Sequence, residues 1–149
     1  LLMGGSPADV ARMKAEARAR GVGERAVFSG QRPPAELPAF FAVSDVLASP
    51  RAKGQNTPFK IFTYLASGRP LVATRIPTHT QLLDDTTAFL VEPTPEGLAS
   101  GIHAALDHPE DAAVRAGRGR DLLEREYGVE RYREKIARAY AIVQRLASR

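Results

Sequence analysis

Lys60 is the residue whose type and position suggest chemistry most directly. It lies in the segment GQNTPFK (54–60), which the sequence predicts to be a loop that runs into a helix. Asn56 or Thr57 can cap that helix, and Pro58 has the backbone angle of a first helical position. Because helix amides and the helix dipole favour an anion, a lysine in the first turn is unfavourable unless it shares that anion. The segment therefore predicts a phosphate or diphosphate site, and the alternative is a solvated lysine on an ordinary capped helix.

Other residues suited to ligand binding lie in loops that follow predicted strands. They are Gly4, Gly5, Gly30, Gln31, Arg51 and His79. Glycines allow backbone amides to approach an anion, and an arginine or a histidine can contact a ligand through its side chain. In an open parallel sheet, ligands bind beyond the carboxyl ends of the strands. We therefore expect these residues and the segment 54–60 to lie at one edge of the sheet.

The sequence offers no pattern for metal, thiol or acyl-transfer chemistry. It contains no cysteine, and its three histidines, His79, His103 and His108, are far apart in the chain. No serine stands in the strand–turn–helix context of a nucleophile elbow. We expect no bound metal and no cofactor, with His103 and His108 at the surface. The sequence assigns no catalytic residue.

Apolar periodicity predicts strands that alternate with helices through short connections. Strands are predicted at 1–3, 26–30, 45–49, 70–74 and 88–91, and helices at 6–21, 35–43, 57–68, 94–109, 110–127 and 129–148. A further short helix is predicted to be capped by Thr78 or Thr80. This alternation favours an α/β fold with a doubly wound parallel sheet, Rossmann-like in organisation. We expect one domain over residues 1–149, because no linker or change in composition interrupts the chain.

The last predicted helix, 129–148, carries an apolar stripe at three- and four-residue spacing. The stripe consists of Val129, Tyr132, Ile136, Tyr140, Val143 and Leu146. The rest of the helix is basic, with Arg131, Arg133, Arg138 and Arg145. We expect the stripe to pack on this domain or to cross to a further one.

Composition and charge narrow the class of protein. Hydrophobic residues make up 44% of the 149 residues and charged residues 26%, as expected of a folded globular protein. The net charge of +4 comes from arginines interleaved with acids, which argues against dedicated nucleic-acid binding. No apolar run approaches the roughly 20 residues that span a bilayer. We expect a cytoplasmic protein, and peripheral contact of the full-length protein with the inner face of the membrane stays open.

Three segments together resemble a known family of enzymes. They are 36–50 (ELPAFFAVSDVLASP), 58–74 (PFKIFTYLASGRPLVAT) and 89–102 (FLVEPTPEGLASGI). Over nearly its whole length the chain is similar to the C-terminal, donor-binding half of glycosyltransferases with two Rossmann-like domains, the GT-B fold. It looks most like the large retaining family-four type, which includes many bacterial group 1 enzymes.

The resemblance implies that this domain binds a nucleotide-diphosphate sugar, whose glycosyl group is transferred to an acceptor with retained configuration. It implies that the nucleotide lies near Gly30 and Gln31, and the diphosphate at the helix that begins at Thr57 and Pro58. Helix amides and positive groups would then stabilise the departing nucleoside diphosphate. The resemblance also implies that the first, central strand of the domain and an N-terminal acceptor-binding domain are missing before Leu1, so that this piece alone is inactive.

Two positions depart from the family pattern. The family carries two glutamates separated by seven residues, and the corresponding positions here are Gln55 and Thr63. A carboxylate accepts two ribose hydroxyl bonds, whereas a threonine offers one short hydroxyl. Either the ribose is bound differently or the donor site is weakened, and Lys60 then contributes more to phosphate binding. The predicted nucleotide-sugar-binding residues are Gly4, Gly5, Gly30, Gln31, Arg51, Gln55, Asn56, Thr57, Pro58, Lys60, Thr63 and His79.

Two other functions remain open on the same residues. A sugar-nucleotide epimerase or hydrolase of the same architecture would bind the same donor and turn it over without an acceptor. A non-catalytic interaction module would keep the nucleotide-binding fold without the site, which is consistent with the replacement of both glutamates.

Overall fold

Five short strands and seven α-helices make up the part of the chain that the computed structural model describes, residues 1–147. The strands are β1 Leu2–Met3, β2 Phe28–Gly30, β3 Leu47–Ser49, β4 Leu71–Thr74 and β5 Phe89–Val91. The helices are α1 Pro7–Ala19, α2 Leu37–Ala42, α3 Phe59–Ser67, α4 Pro77–Thr80, α5 Pro95–Asp107, α6 Pro109–Tyr127 and α7 Val129–Ala147. The chain forms two compact units, Leu1–Ala42 and the residues from Val43 onward.

In the first unit, β1 and β2 pair in parallel, with Leu2 opposite Phe28. α1 connects them, as a parallel pair requires a crossover. α1 begins with a capping box in which the Ser6 hydroxyl accepts from the Asp9 amide at 3.2 Å, while the Asp9 carboxylate accepts from the Ser6 amide at 3.2 Å. The predicted order of strand, helix and strand is confirmed in this unit.

The second unit contains a three-stranded parallel sheet in the order β3, β4, β5. The central strand β4 is buried along its whole length. α5 packs on β4 and β5, and α6 packs on α3, whose Ile61 and Leu65 are buried. Val72, Phe89, Ala105 and Ala112 form one cluster of the hydrophobic core. The predicted α/β class with parallel strands is therefore confirmed.

Two predicted elements of the first unit have different bounds in the structure. The strand predicted at 26–30 ends at Gly30 as expected but begins only at Phe28, because Ala26 closes a 3-10 turn by donating its amide to the Gly23 carbonyl at 3.3 Å. The helix predicted at 35–43 is a 3-10 turn, Pro34–Glu36, followed by the six-residue α2.

The helix predicted to be capped by Thr78 or Thr80 is α4, which has four residues and begins earlier. Ile76 occupies its cap position, so both threonines lie inside the helix. Beyond α4, the Leu83 amide still donates to the His79 carbonyl at 2.9 Å, and the Asp84 carboxylate then accepts hydrogen bonds from the amide and the hydroxyl of Thr86, at 2.9 Å and 2.6 Å. Such a side-chain turn competes with helical hydrogen bonding.

The apolar stripe of α7 is exposed. Tyr140 retains 67% of its accessible surface and Val143 retains 61%. The stripe therefore does not pack on this domain within the described residues, and its packing on a further domain stays a prediction. The helix end predicted at Ser148 lies outside the described residues. None of the helices between residues 1 and 147 combines the length and the apolarity needed to cross a membrane.

Gly101 in α5 and Gly117 in α6 form a matched pair that tests the packing of the second unit. A Cβ atom at Gly101 would lie 2.5 Å from Val91 Cγ1 and 2.9 Å from Val72 Cγ1, whereas nothing lies within 4 Å of one at Gly117. We expect Gly101→Ala to lower the free energy of unfolding by about 1–3 kcal/mol through overpacking. Gly117→Ala should raise it by up to about 1 kcal/mol through helix propensity. Urea titrations measure both, and equal effects would contradict the packing of α5 on the sheet.

Candidate functional site

The first turn of α3 leaves backbone donors free. Pro58 occupies the cap position, no side chain caps the helix, and the amides of Phe59 and Lys60 have no hydrogen-bond partner within the described residues. Every other described helix of eight or more residues has an acidic side chain in its first turn, and α3 has none. An uncapped helix start without an acid is suited to receive an anion.

The predicted cap of α3 is wrong, because Pro58 occupies the cap position and neither the Asn56 nor the Thr57 side chain caps the helix. The Thr57 hydroxyl accepts a hydrogen bond from the Gln81 side-chain amide. The Asn56 carbonyl accepts one from the Arg51 guanidinium at 2.8 Å. Pro58 stands one position before the helix instead of inside it. The amides that the sequence assigned to a cap are consequently open to a ligand.

Arg51 shapes the loop that leads to α3. Its guanidinium donates to the carbonyls of Lys53 at 2.6 Å and Asn56 at 2.8 Å. Its own carbonyl accepts a hydrogen bond from the Thr74 hydroxyl at the end of β4. An added Cβ atom at Gly54 would overlap the guanidinium, so the loop passes close around it. Arg51 thus holds the loop through both its backbone and its side chain.

Lys60 and Arg51 form a positive pair beside the start of α3. The Lys60 ammonium lies 5.9 Å from the centre of the Tyr64 ring. Loss of water around the ammonium lowers the pKa of Lys60, and the Arg51 charge lowers it further. Within the described residues, neither cation forms an ion pair with a carboxylate. Two cations that repel each other without an acidic partner favour an anion between them.

His79 is fully buried, so any influence on a ligand at this site would be indirect. Its Nδ1 lies 2.8 Å from the Thr74 carbonyl, which can only accept, and the ring proton is therefore assigned to Nδ1. Nε2 then accepts from the Ser49 hydroxyl at 3.0 Å. Burial lowers the pKa of His79, with smaller contributions from the Lys60 and Arg51 charges, against the bond to Thr74, which raises it. The imidazole is accordingly neutral at pH 7.

The neutral state of His79 makes stability depend on pH. Because its pKa is lowered in the folded state, the unfolded chain takes up the proton first as the pH falls below the ordinary value of about 6.5. The free energy of unfolding should therefore be greatest above that pH and fall as the pH drops toward the folded-state pKa. Urea titrations at a series of pH values should show a shallower fall in His79→Asn than in the wild type. The exposed His103→Asn is the control, and the same slope in both variants would contradict this role.

The glycines predicted in the first unit lie together at one edge of their sheet. The Gly4 amide donates to the Gly30 carbonyl at 2.7 Å. Gly4, Gly5 and Gly30 have φ angles of 101°, 84° and 66°, which favour glycine. Gln31 follows directly and is exposed. The adjacent start of α1 is closed by its own capping box, so it offers fewer free donors than the start of α3.

Gln55 and Thr63, the two positions at which the sequence departs from the pattern that it resembles, bring no negative charge to the positive pair. Gln55 is exposed in the loop. The Thr63 hydroxyl donates to the Lys60 carbonyl at 2.8 Å. Since its proton is used inside the helix, this hydroxyl can only accept a hydrogen bond from a ligand.

The sequence did not reveal the parts played by Ser49 and Thr74. Both are buried polar residues at the carboxyl ends of apolar strands. A hydroxyl at the end of a buried strand indicates an internal hydrogen bond, because a buried hydroxyl without a partner costs free energy. Their common partner, His79, can be found only once the fold is known.

A parallel α/β domain with free helix amides and a positive pair beyond a strand end has the features of a nucleotide-binding protein. A family model described as Glycosyl transferases group 1 matches residues 1–108, which is most of the chain. The chain belongs to this family. No match was found among curated protein sequences.

Several solved structures share the fold. HepE from Anabaena, solved in complex with UDP, has a TM-score of 0.84 and 20% identity, over 94% of this chain and 40% of HepE. Sucrose-phosphate synthase from Thermosynechococcus elongatus has a TM-score of 0.82 and 21% identity, over 99% and 38% of the two chains. A glycosyltransferase from Rickettsia africae has a TM-score of 0.83 and 18% identity, over 96% and 39%. The chain therefore spans 38–40% of the length of these proteins, and at such identities the likeness concerns the fold.

Proposed function

We propose that the chain is the donor-binding domain of a glycosyltransferase and binds the diphosphate of a nucleotide sugar at the start of α3. The observation that carries this proposal is a pair of cations, Arg51 and Lys60, beside the amides of Phe59 and Lys60, in a chain of the group 1 family. Within residues 1–147 the cations have no carboxylate partner and the amides no hydrogen-bond partner. Charge-assisted hydrogen bonds from such groups suit phosphate oxygens. The complexes of HepE with UDP and with UDP-glucose, on the same fold, support a nucleotide sugar as the ligand.

In the proposed reaction, the bond between the anomeric carbon of the sugar and the diphosphate oxygen breaks, and an acceptor oxygen forms the new bond with retained configuration. Negative charge grows on the leaving nucleoside diphosphate. The positive charges of Arg51 and Lys60 and the helix amides would stabilise that charge from fixed positions beside it. The acceptor is held by a further domain of the full-length protein.

Calorimetry on the full-length protein tests the ligand class. We expect one nucleotide series among UDP-, GDP- and ADP-sugars to bind, and inorganic pyrophosphate to compete with it. Competition by pyrophosphate would show that the diphosphate, which all nucleotide sugars share, binds at the anion site. Absence of binding by every nucleotide sugar would contradict the proposal.

A non-catalytic module of the same fold is the second candidate, because Gln55 and Thr63 stand in place of acids. Product analysis with and without an acceptor separates the candidates. A transferase consumes the donor when the acceptor is present, and an epimerase turns over the donor alone. A non-catalytic module does neither.

We also propose that the exposed stripe of α7 packs on a further domain of the full-length protein. A continuous apolar helix face of this size marks an interaction surface. Val143→Asp should then lower the free energy of unfolding of the full-length protein by more than about 2 kcal/mol, because it buries an unpaired charge. Arg138→Asp, on the charged face of α7, should change it by less than about 0.5 kcal/mol. Equal effects in urea titrations would show that the stripe is exposed in the full-length protein as well.

A further inference from the structure

Ser49, His79 and Thr74 form one buried chain of hydrogen bonds behind the Arg51 loop. Each of the three is at most 2% exposed. Since carbonyl oxygens only accept, the direction of every bond is fixed. The Ser49 hydroxyl donates to His79 Nε2 at 3.0 Å. His79 Nδ1 donates to the Thr74 carbonyl at 2.8 Å and lies 3.1 Å from Thr74 Oγ1.

The chain of bonds ends on the backbone of the loop. His79 Nδ1 carries its proton, so the Thr74 hydroxyl does not donate to it. The Thr74 hydroxyl donates instead to the Arg51 carbonyl. Arg51 then uses its guanidinium to hold the carbonyls of Lys53 and Asn56. One continuous path therefore leads from the buried imidazole to the loop that precedes α3.

A packing role alone does not explain this arrangement. Buried polar groups cost free energy unless all of them are hydrogen-bonded, and apolar side chains of similar volume would fill the same space at no such cost. The polar groups also join three separate elements, since Ser49 ends β3, Thr74 ends β4 and His79 lies in α4. Beyond packing, these hydrogen bonds fix the orientation of the Thr74 hydroxyl toward the Arg51 carbonyl.

We propose that His79 is a positioning residue of the anion site: its imidazole orients the Thr74 hydroxyl, which holds the Arg51 backbone and with it the loop shape that receives the diphosphate. This inference rests on the proposed function, because it assigns His79 to the same site. His79 does not contact the ligand, and its effect reaches the ligand through Thr74 and Arg51. The sequence predicts His79 as a binding residue, and under this proposal it supports binding without touching the ligand.

Four variants of the full-length protein separate positioning from packing. Thr74→Val replaces the hydroxyl by a methyl group of similar size, and Thr74→Ser keeps the hydroxyl. His79→Gln places an amide near the Nε2 position and loses the donor to Thr74, whereas His79→Asn keeps a donor near the Nδ1 position. The probe is inorganic pyrophosphate, which reports on the anion site without a base or a sugar. Calorimetry gives its Kd, and urea titration gives the free energy of unfolding of each variant.

We expect Thr74→Val and His79→Gln to raise the Kd of pyrophosphate on the order of tenfold, as for the loss of an interaction that orients a charged group. Thr74→Ser and His79→Asn should stay close to the wild type, and this rescue is the result that a packing role would not give. Wild-type Kd values in Thr74→Val and His79→Gln would overturn the inference and leave the proposed function standing. Absence of pyrophosphate binding by the wild type would overturn both. If His79→Gln does not fold, the comparison of Thr74→Val with Thr74→Ser alone decides the test.

Discussion

Replacing Lys60 with alanine should weaken the binding of the nucleotide-sugar donor by about 10- to 100-fold in the full-length protein, the effect of losing a charge-assisted hydrogen bond to phosphate. The same change should leave the free energy of unfolding unaltered or raise it by a few tenths of a kcal/mol, roughly, because a cation in a first helical turn opposes the helix dipole. In Lys60→Ala, the affinity for the donor should therefore fall while the free energy of unfolding does not. Calorimetry with the donor and urea titration measure the two effects.

Lys14→Ala is the matched control for this experiment, because Lys14 is exposed on α1 in the first unit. It should change neither quantity. If Lys60→Ala binds the donor as tightly as the wild type, the lysine is a solvated residue, as the alternative interpretation of the sequence holds. A fall in stability without a change in affinity would have the same meaning.

Replacing Arg51 with alanine should weaken donor binding by about 100-fold, since it removes a cation and releases the loop at the same time. The loop loses the hydrogen bonds to the carbonyls of Lys53 and Asn56. Arg51→Lys keeps the charge and loses the planar fork that makes both bonds, so its affinity should fall between those of the wild type and Arg51→Ala. Calorimetry on the two variants separates charge from loop shape.

Two further variants serve as comparisons for the Arg51 result. Gly54→Ala keeps the arginine but adds a Cβ atom where the guanidinium lies, so it should resemble Arg51→Lys. Arg118→Ala removes an exposed arginine from α6 and should have no effect. Equal affinities of Arg51→Ala and Arg118→Ala would contradict the role of Arg51.

The parts of the fold that depend on local patterns could be predicted from the sequence. β4 appears as an apolar run because it is the central strand, and Gly68 ends α3 in the left-handed conformation expected of a terminal glycine. The stripe of α7 follows from its three- and four-residue spacing. Each of these features depends on residues that are neighbours in the chain.

The parts that depend on distant contacts could not be predicted. The Thr57 hydroxyl, which the sequence predicts as a cap of α3, instead accepts a hydrogen bond from the Gln81 side chain, which lies 24 residues away. The buried position of His79 depends on Ser49, which is 30 residues away. The sequence predicts the segment 54–60 as an anion site, and that assignment stays a prediction.

The structure of the full-length protein in complex with the nucleoside diphosphate that it binds tests the proposed site most directly. We expect the diphosphate oxygens to lie about 3 Å from Lys60 Nζ and from the amide nitrogens of Phe59 and Lys60, the distance of a hydrogen bond. A nucleoside diphosphate bound with its phosphates away from the start of α3, and with Lys60 directed into solvent, would contradict the assignment of this helix start as the diphosphate site.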